Sequence, residues 1–339
     1  MTIGILGAGT WGIALARMLH NIGHRVTVWS ALESEIESYK ATHRQPNLPG
    51  MVIPEGIVFT ADIAEAAAGK EILLFAVPSV YTRSTAAKAA PYIPDGQIIV
   101  DVAKGIEAET LLTLTQVIDD ELRRCGKNAR LVALSGPTHA EEVALDLPTT
   151  IVAACADLDT AELVQDAFMN TCMRVYTNCD VIGVELCGAI KNIMALAAGI
   201  SQGLGYGDNT KAALITRGMA EITRLGMAIG CKSETFYGLA GIGDLIVTAT
   251  SEHSRNNRCG RLIGAGVPTA EAVKQVGMVV EGINAIPAAM KLAERYSVEM
   301  PIVRAVDAVV NHGADARTEV LRLMLREKNS ETPKSHWAN

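Results

Sequence analysis

Two lysines are candidates for chemistry, and for one of them, Lys191, an ordinary surface role is a poor explanation. Lys191 lies inside residues 185–218, an apolar stretch of small residues with little charge near it. Because burying a lysine costs free energy, its place here indicates a use for the amine, and proton transfer is the chemistry that an amine offers. Lys104 follows a predicted strand within residues 102–110, at the sheet edge where α/β proteins bind ligands. Taken alone, Lys104 is also compatible with an ordinary loop residue.

Residues 238–260 add an acid and a group of side chains suited to an anion. Asp244 follows a glycine turn, where a carboxylate either caps the next helix or serves a site. Ser254, Arg255 and Asn256 stand at a predicted helix start. A hydroxyl, a guanidinium, an amide and free backbone N–H groups together favour a phosphate, and the alternative is a solvated helix face.

The glycine-rich turn near the beginning of the chain predicts a dinucleotide site. Gly7, Gly9 and Gly12 follow a predicted strand and open a predicted helix over residues 11–21, within a β-α-β unit that ends at residues 26–29. In this context the first glycine permits the tight turn, the second lets a pyrophosphate approach, and the third lets helix and strand pack closely. The helix amino terminus supplies N–H groups for the anion. A merely tight turn is the less favoured alternative.

The residues after the second strand leave the choice between NAD and NADP open. An acid at the end of that strand normally binds the ribose hydroxyls of NAD, whereas a nearby arginine suits the 2′-phosphate of NADP. Residues 29–33 offer neither at the expected place. Ser30 can hydrogen-bond either ribose, and Glu33 lies too late along the chain.

The pattern of apolar residues predicts an α/β fold for the first half of the chain. Short β-branched runs alternate with helical stretches, such as residues 110–124, in which four apolar residues share one helical face. Such alternation implies a mostly parallel sheet wrapped by helices. The predicted strands cover residues 3–6, 25–29, 72–77, 97–102, 130–134, 149–154 and 173–176.

The second half of the chain has a helical pattern over residues 184–325. We therefore predict an α/β protein in which a Rossmann-type dinucleotide-binding domain, residues 1–177, precedes an all-α substrate and catalytic domain, residues 178–339. The polar tail, residues 327–339, shows no periodicity and is expected to be loosely ordered. Glycine-containing breaks in the helical pattern are predicted at residues 203–207, 241–243 and 264–266.

Composition and charge exclude several classes of protein. A net charge of −7 argues against nucleic-acid binding, and no apolar run reaches the roughly 18 residues of a membrane span, so we expect no membrane insertion. A first predicted strand this close to Met1 leaves no room for a signal peptide, which predicts a cytoplasmic protein. Seven cysteines without a C-x-x-C motif and seven histidines without ligand spacing predict neither a disulfide framework nor a metal site.

Six stretches, in order along the chain, resemble the NAD(P)-dependent sn-glycerol-3-phosphate dehydrogenase family. They are residues 77–79 (VPS), 102–110 (VAKGIEAET), 135–144 (SGPTHAEEVA), 185–218, 238–260 and 279–282 (VVEG). The resemblance runs from residue 3 to about residue 325. It implies reversible hydride transfer between NAD or NADP and carbon 2 of glycerol 3-phosphate, with dihydroxyacetone phosphate as the other substrate. It also implies a homodimer and, where glycerol 3-phosphate is the product, a role in glycerophospholipid synthesis.

The resemblance further implies roles for single residues. Lys191 matches the family's catalytic lysine, Lys104 a position that touches cofactor and substrate, and Asp244 the carboxylate that orients the active lysine. Burial and neighbouring Lys104 are expected to lower the pKa of Lys191 from ~10.4. The implied substrate residues are Lys104, Gly136, Thr138, Lys191, Asn192, Asp244, Ser254, Arg255 and Asn256. The implied cofactor residues are Gly7, Gly9, Thr10, Trp11, Gly12, Lys104, Ala140, Arg255, Val279 and Glu281.

Some residues in these motifs have a structural explanation or no assigned role. Thr138 with Glu141 forms a T-x-x-E pattern, which is typical of a helix capping box. His139 and His253 lie near site motifs without an evident partner, and Lys211 is as compatible with the surface as with the site.

The alternatives to this dehydrogenase are a related enzyme of the same architecture and a protein without catalysis. β-Hydroxyacid and 6-phosphogluconate dehydrogenases share the architecture but place an asparagine three or four residues after the lysine, whereas here Asn192 follows Lys191 directly. A catalytically silent dinucleotide sensor is the alternative from another class. Such a sensor is expected to have lost the lysine pair or the phosphate site, and this chain has both. Consumption of NAD(P)H on adding dihydroxyacetone phosphate separates the enzyme from the sensor.

Overall fold

An eight-stranded sheet forms the first half of the molecule. The computed structural model describes residues 1–328, 330 and 331, so the predicted tail lies largely outside the described residues. The strands are β1 Thr2–Leu6, β2 Arg25–Trp29, β3 Val58–Thr60, β4 Ile72–Phe75, β5 Gln97–Asp101, β6 Ala129–Ser135, β7 Thr149–Ala154 and β8 Met173–Asn178. They lie side by side in the order β3-β2-β1-β4-β5-β6-β7-β8. All neighbours are parallel except β6 and β7, which are antiparallel.

Both faces of this sheet are buried, as in a parallel sheet covered by helices. In β4, Ile72 and Leu74 belong to one apolar cluster, while Leu73 and Phe75 belong to another on the opposite face. The helices of this half are α1 Thr10–Asn21, α2 Glu33–Thr42, α3 Ile63–Ala67, α4 Thr82–Ala89, α5 Leu114–Arg124, α6 Ala140–Val143 and α7 Leu158–Phe168. Short 3₁₀ turns lie at Ser79–Tyr81 and Ala90–Tyr92.

The strand order creates a crevice at the centre of the sheet. The chain runs from β1 outward to β2 and β3, then crosses back to β4 on the other side of β1. Ligands of open α/β sheets bind at such a crossing, outside the carboxyl ends of the strands. The glycine turn follows β1, and Lys104 follows β5 on the other side of the crossing.

The remaining helices form the second half of the molecule. They are α8 Val181–Gly203, α9 Asp208–Ile229, α10 Ser233–Phe236, α11 Asp244–Thr250, α12 Arg255–Gly264, α13 Thr269–Val276, α14 Glu281–Arg295, α15 Pro301–His312 and α16 Ala316–Met324, with a wide π-helical turn at Leu239–Gly243 before α11. The expected breaks after Gly203, around Gly241 and after Gly264 are confirmed. Helix α8 packs against α9, α11, α12 and α14, so it forms the centre of this half.

Helix α8 corrects one expectation drawn from the sequence. It has 23 residues and is, by length and composition, long and apolar enough for a membrane span. Most of the helix is buried inside the protein, which is the environment of a core helix. Glu185 and Lys191 interrupt the apolar run in the sequence, but both side chains are buried, so they do not expose the helix to solvent.

Small residues bring α8 and α12 into backbone contact. A Cβ atom on Gly199 would lie 2.2 Å from the carbonyl oxygen of Asn257, and one on Gly260 would lie 2.2 Å from that of Leu196. Because no larger residue fits at either place, the glycines set the distance between the two helices. This packing holds the start of α12 beside the middle of α8, where Lys191 lies.

Two details of the secondary structure differ from the prediction. Strand β3 was not predicted, because three residues are too few to show a period. Helix α5 begins at Leu114 instead of residue 110, since the backbone at Leu111 is left-handed with φ of 63° and Thr113 is the N-cap residue. The side chain of Gln116 accepts a hydrogen bond from the Thr113 N–H at 3.0 Å, which fixes this start.

The capping box predicted for Thr138 and Glu141 is wrong. Helix α6 begins at Ala140 with His139 as its N-cap residue. The Thr138 hydroxyl donates instead to the carbonyl oxygen of Gly136 at 3.1 Å and accepts from Lys104 Nζ at 3.4 Å. Its hydroxyl is therefore part of the lysine cluster rather than a helix cap.

Candidate active site

The glycine turn fits a bound dinucleotide. Gly7 has φ of 125°, and a Cβ atom on Gly12 would lie 2.1 Å from the Gly7 carbonyl oxygen, so both positions require glycine. A Cβ atom on Gly9 would meet nothing within 4 Å, which leaves open space in front of the turn. Helix α1 begins at Thr10 without a side-chain cap, so its first N–H groups remain available to a pyrophosphate.

A buried carboxylate joins the two lysines. Lys191 Nζ lies 2.7 Å from Asp244 Oδ1, and Lys104 Nζ lies 2.7 Å from Asp244 Oδ2. Asp244 is 0% exposed and Lys191 is 4% exposed. Each lysine reaches this acid from a different part of the chain, since Lys104 follows β5, Lys191 belongs to α8 and Asp244 begins α11. One carboxylate thus holds two amines in a fixed arrangement.

Thr248, which the sequence analysis missed, completes this cluster. Its hydroxyl accepts a hydrogen bond from Lys191 Nζ at 2.5 Å and donates to the Asp244 carbonyl oxygen at 2.6 Å. Thr248 follows Asp244 by four residues on α11, which places both on one helix face. That spacing is the signal from which it could have been found. Lys104 is anchored separately by the Gly136 carbonyl oxygen at 2.9 Å.

The surroundings of Lys191 lower the pKa of its amine to about 7. Burial, which disfavours the charged form, is the main cause. The carboxylate of Asp244 opposes the shift, and the neighbouring charge of Lys104 adds to it. At neutral pH the amine is therefore present in both its protonated and its neutral form, as a group that gives and takes a proton requires.

The start of α12 presents the predicted phosphate residues, and two of the three have structural partners. The Ser254 hydroxyl accepts from the Asn257 N–H at 3.2 Å, as a helix N-cap. Asn256 Nδ2 donates to Asn192 Oδ1 at 2.9 Å, and Asn256 Oδ1 accepts from the Gly282 N–H at 2.8 Å. These bonds fix the positions of Ser254 and Asn256 but use part of their hydrogen-bonding capacity. Arg255 lines the cleft between them.

Glu281 links the helical half to the sheet half. Its carboxylate accepts from the Ser79 N–H at 3.0 Å and from the Ser79 hydroxyl at 2.5 Å. Ser79 lies in the VPS stretch after β4, and Glu281 begins α14. The predicted cofactor residue Glu281 therefore also closes one wall of the crevice at the carboxyl ends of the strands.

A cleft of about 410 Å³ contains most of the predicted site residues. Gly7, Gly12, Gly136 and Asp244 do not line it and lie behind its wall, where they shape the turn or hold the lysines. The predicted residues that line the cleft are Gly9, Thr10, Trp11, Lys104, Thr138, Ala140, Lys191, Asn192, Ser254, Arg255, Asn256, Val279 and Glu281. A larger cavity of about 810 Å³ lies among α8, α9, α15 and α16 and is lined by none of them.

The residues left without a role lie at different places. His139 and His253 both line the cleft with their ring centroids 5.8 Å apart. Burial, together with the charges of Lys191 and Lys104, lowers the pKa of His139 to about 4, so its ring is neutral at neutral pH. Lys211 lies outside the cleft and pairs with Asp208 at 3.0 Å in the first turn of α9.

Ser30, which was expected to hydrogen-bond the ribose of the cofactor, does not line the cleft. The Ser30 side chain is buried, and its hydroxyl donates to Glu35 Oε2 at 2.6 Å. Glu35, in the first turn of α2, lines the cleft in its place. Glu35 was not predicted from the sequence, although it stands in the same helical turn as Glu33.

A cleft with a pyrophosphate-binding turn on one wall and an amine of lowered pKa on the other is typical of a nicotinamide-dependent dehydrogenase. Comparison with known proteins agrees with this class. The family model described as NAD-dependent glycerol-3-phosphate dehydrogenase N-terminus matches residues 2–161, and the corresponding C-terminus model matches residues 180–321. The chain therefore belongs to the NAD-dependent glycerol-3-phosphate dehydrogenase family and is an oxidoreductase whose cofactor is NAD or NADP.

Individual relatives are similar over nearly their whole length. A protein of Lactobacillus delbrueckii subsp. bulgaricus named glycerol-3-phosphate dehydrogenase (NAD(P)+) 2 is 69% identical over 98% of this chain and 99% of its own. A glycerol-3-phosphate dehydrogenase (NAD(P)+) of Agathobacter rectalis is 53% identical, with 99% of each chain covered. The crystal structure of glycerol-3-phosphate dehydrogenase from Coxiella burnetii has a TM-score of 0.91 at 36% identity, covering 96% of this chain and 99% of that one.

Proposed function

We propose that this protein interconverts dihydroxyacetone phosphate and sn-glycerol 3-phosphate, with Lys191 as the proton donor and acceptor. The nicotinamide supplies or removes the hydride at carbon 2 of the substrate. The observation that carries the proposal is the pair of lysines on Asp244, with Nζ-to-oxygen distances of 2.7 Å, beside the same cleft as the glycine turn. The names of the relatives support the choice of substrate.

The proposed roles follow from the arrangement of the side chains. During reduction, the Lys191 ammonium gives its proton to the oxygen on carbon 2 as negative charge develops there. Lys104 adds a second positive charge, and Asp244 keeps both amines aimed at the cleft. Arg255 and the free N–H groups at the start of α12 bind the substrate phosphate. During oxidation, the neutral Lys191 amine takes the hydroxyl proton.

The setting of the reaction is part of the same proposal. We propose that the domain of residues 1–177 binds the dinucleotide and that the domain of residues 178–339 binds the substrate. The enzyme acts in the cytoplasm as a homodimer and supplies glycerol 3-phosphate for glycerophospholipid synthesis. The family membership of the chain supports these points.

The direct test follows the absorbance of the reduced nicotinamide while dihydroxyacetone phosphate is added to the purified protein. We expect rapid loss of the signal and formation of glycerol 3-phosphate in equal amount. Nicotinamide binding without any loss of absorbance would contradict the proposal and favour a silent sensor or another hydroxy-acid substrate.

The pKa of Lys191 predicts opposite pH profiles for the two directions. Reduction requires the protonated amine, so kcat/KM for dihydroxyacetone phosphate should fall as pH rises through about 7, the value to which burial lowers this pKa. Oxidation requires the neutral amine, so kcat/KM for glycerol 3-phosphate should rise over the same interval. Initial rates above about pH 6.5, where the substrate phosphate is mostly dianionic, measure both. A reduction rate that stays level to pH 9 or so would rule out this assignment.

A further inference from the structure

A carboxylate occupies the part of the cleft where the adenosine half of a dinucleotide would lie. Glu35 lines the cleft together with the glycine turn, and it follows β2, whereas Lys104 follows β5. Because β2 and β5 lie on opposite sides of β1, Glu35 and the lysines lie on opposite sides of the turn. The residue after the second strand of such a fold meets the adenosine ribose.

The position of this carboxylate is fixed by a buried neighbour. The Ser30 hydroxyl, in a residue that is 4% exposed, donates to Glu35 Oε2 at 2.6 Å and accepts from the Leu32 N–H at 3.1 Å. Side chains of a helical first turn point back toward the helix start, which brings Glu35 over the end of β2. No described residue donates to the second oxygen, Oε1, so it is available to a ligand in the cleft.

Among the described residues that line this side of the cleft, no cation compensates the charge of Glu35. Besides the glycine turn, the described residues lining this part are Gln45 and Asn47, and both are neutral. The lysines and the arginine that line the cleft follow β5 or belong to α8 and α12, and none of them belongs to β2, to α2 or to the loop after α2. The nearby Tyr39 hydroxyl has its pKa raised to about 12, mainly by burial and further by the charge of Glu35.

We infer that Glu35, held by Ser30, makes this enzyme select NAD(H) over NADP(H). The inference rests on the proposed function only in taking the cleft as the dinucleotide site. A ribose 2′-hydroxyl can donate to the free carboxylate oxygen. A 2′-phosphate, with a charge of about −2, would meet that carboxylate, and no lysine or arginine among the described residues that line this side of the cleft would balance it. The selection therefore comes from repulsion of the wrong cofactor as much as from attraction of the right one.

The test measures the dissociation constants of NADH and NADPH separately by nicotinamide fluorescence, without substrate. We expect NADH to bind the parent protein at least about tenfold more tightly, a difference of about 1.4 kcal/mol. Glu35→Gln removes the charge and keeps an oxygen that Ser30 can bond. The ratio of the NADPH dissociation constant to the NADH dissociation constant should therefore fall at least about fivefold, through tighter NADPH binding. Glu33→Gln is the matched control, since Glu33 is exposed in the same helical turn and does not line the cleft.

The outcomes separate this inference from the proposed reaction. Two results would overturn the selection by Glu35. One is a parent ratio of NADPH to NADH dissociation constants near one, and the other is a Glu35→Gln ratio equal to that of the parent or of the Glu33→Gln control. A parent ratio above about ten that collapses only in Glu35→Gln supports it, even if dihydroxyacetone phosphate is not reduced, because binding is measured without substrate. Added salt should also narrow the parent ratio, since it screens the repulsion between the two anions.

Discussion

Replacing Lys191 with alanine should lower kcat for dihydroxyacetone phosphate reduction by about 10²–10⁴, which is the usual contribution of a positioned acid or base. The binding of NADH should change little, because the glycine turn that would hold its pyrophosphate belongs to β1 and α1 in the other half of the molecule. Stopped-flow rates with saturating substrates measure the first effect, and fluorescence titration with NADH measures the second.

The structure also says how this variant can remain folded. Removing one member of a buried ion pair normally leaves an uncompensated charge. Here Asp244 keeps Lys104 at 2.7 Å, so its carboxylate remains paired. Lys211→Ala is the control, since Lys211 lies outside the cleft and pairs with Asp208 at the surface. A Lys191→Ala protein that binds NADH and turns over at the parent rate would show that the proton comes from another group.

The parts of the fold that the sequence predicted are those that depend on local patterns. The seven predicted strands are confirmed with ends shifted by at most two residues, because each is a run of β-branched and apolar residues between helical stretches. The dinucleotide turn is equally local, since the geometry of Gly7 and Gly12 concerns residues five apart. Strand β3 was missed because Val58–Thr60 has only three residues, too few to show a period, and it is held in place by its pairing with β2.

The site depends on contacts that no local pattern contains. Lys104 and Asp244 are 140 residues apart, and Lys191 and Asp244 are 53 apart, so only the packing of α8 and α11 beside the sheet brings them together. The sequence indicated that a lysine inside an apolar helix has a use. It offered Asp244 only as an acid that either capped a helix or served the site, and the family resemblance supplied its role as the orienting carboxylate.

Short-range hydrogen bonds were a second source of error. The Thr138 hydroxyl could have capped α6, but the neighbouring Lys104 and the Gly136 carbonyl provide competing partners. Similarly, the Ser30 hydroxyl donates its hydrogen bond to Glu35 inside the protein, so it is not available to a ribose. Polar side chains near a site have several partners within reach, and the choice depends on tertiary distances of a few ångströms that a sequence does not give.

The second large effect is expected for Arg255→Ala, which should lower kcat/KM for dihydroxyacetone phosphate by about ten- to hundredfold, mainly through KM. Of the three predicted phosphate residues, Ser254 and Asn256 already serve Asn257, Asn192 and Gly282. Arg255 lines the cleft and can offer its guanidinium to the phosphate. A charge-assisted hydrogen bond of this kind is worth about 1.5–3 kcal/mol, which corresponds to the expected range.

Two further variants decide how the phosphate is held. Arg255→Lys keeps the charge but loses the planar pair of donors, so its kcat/KM should lie between those of the parent and Arg255→Ala. Arg258→Ala on the same helix is the control, because Arg258 is exposed and does not line the cleft. If Arg255→Ala lowered kcat/KM by less than about threefold, the N–H groups at the start of α12 would suffice to bind the phosphate. Arg255 would then belong to the cofactor, and its replacement would raise KM for NADH instead.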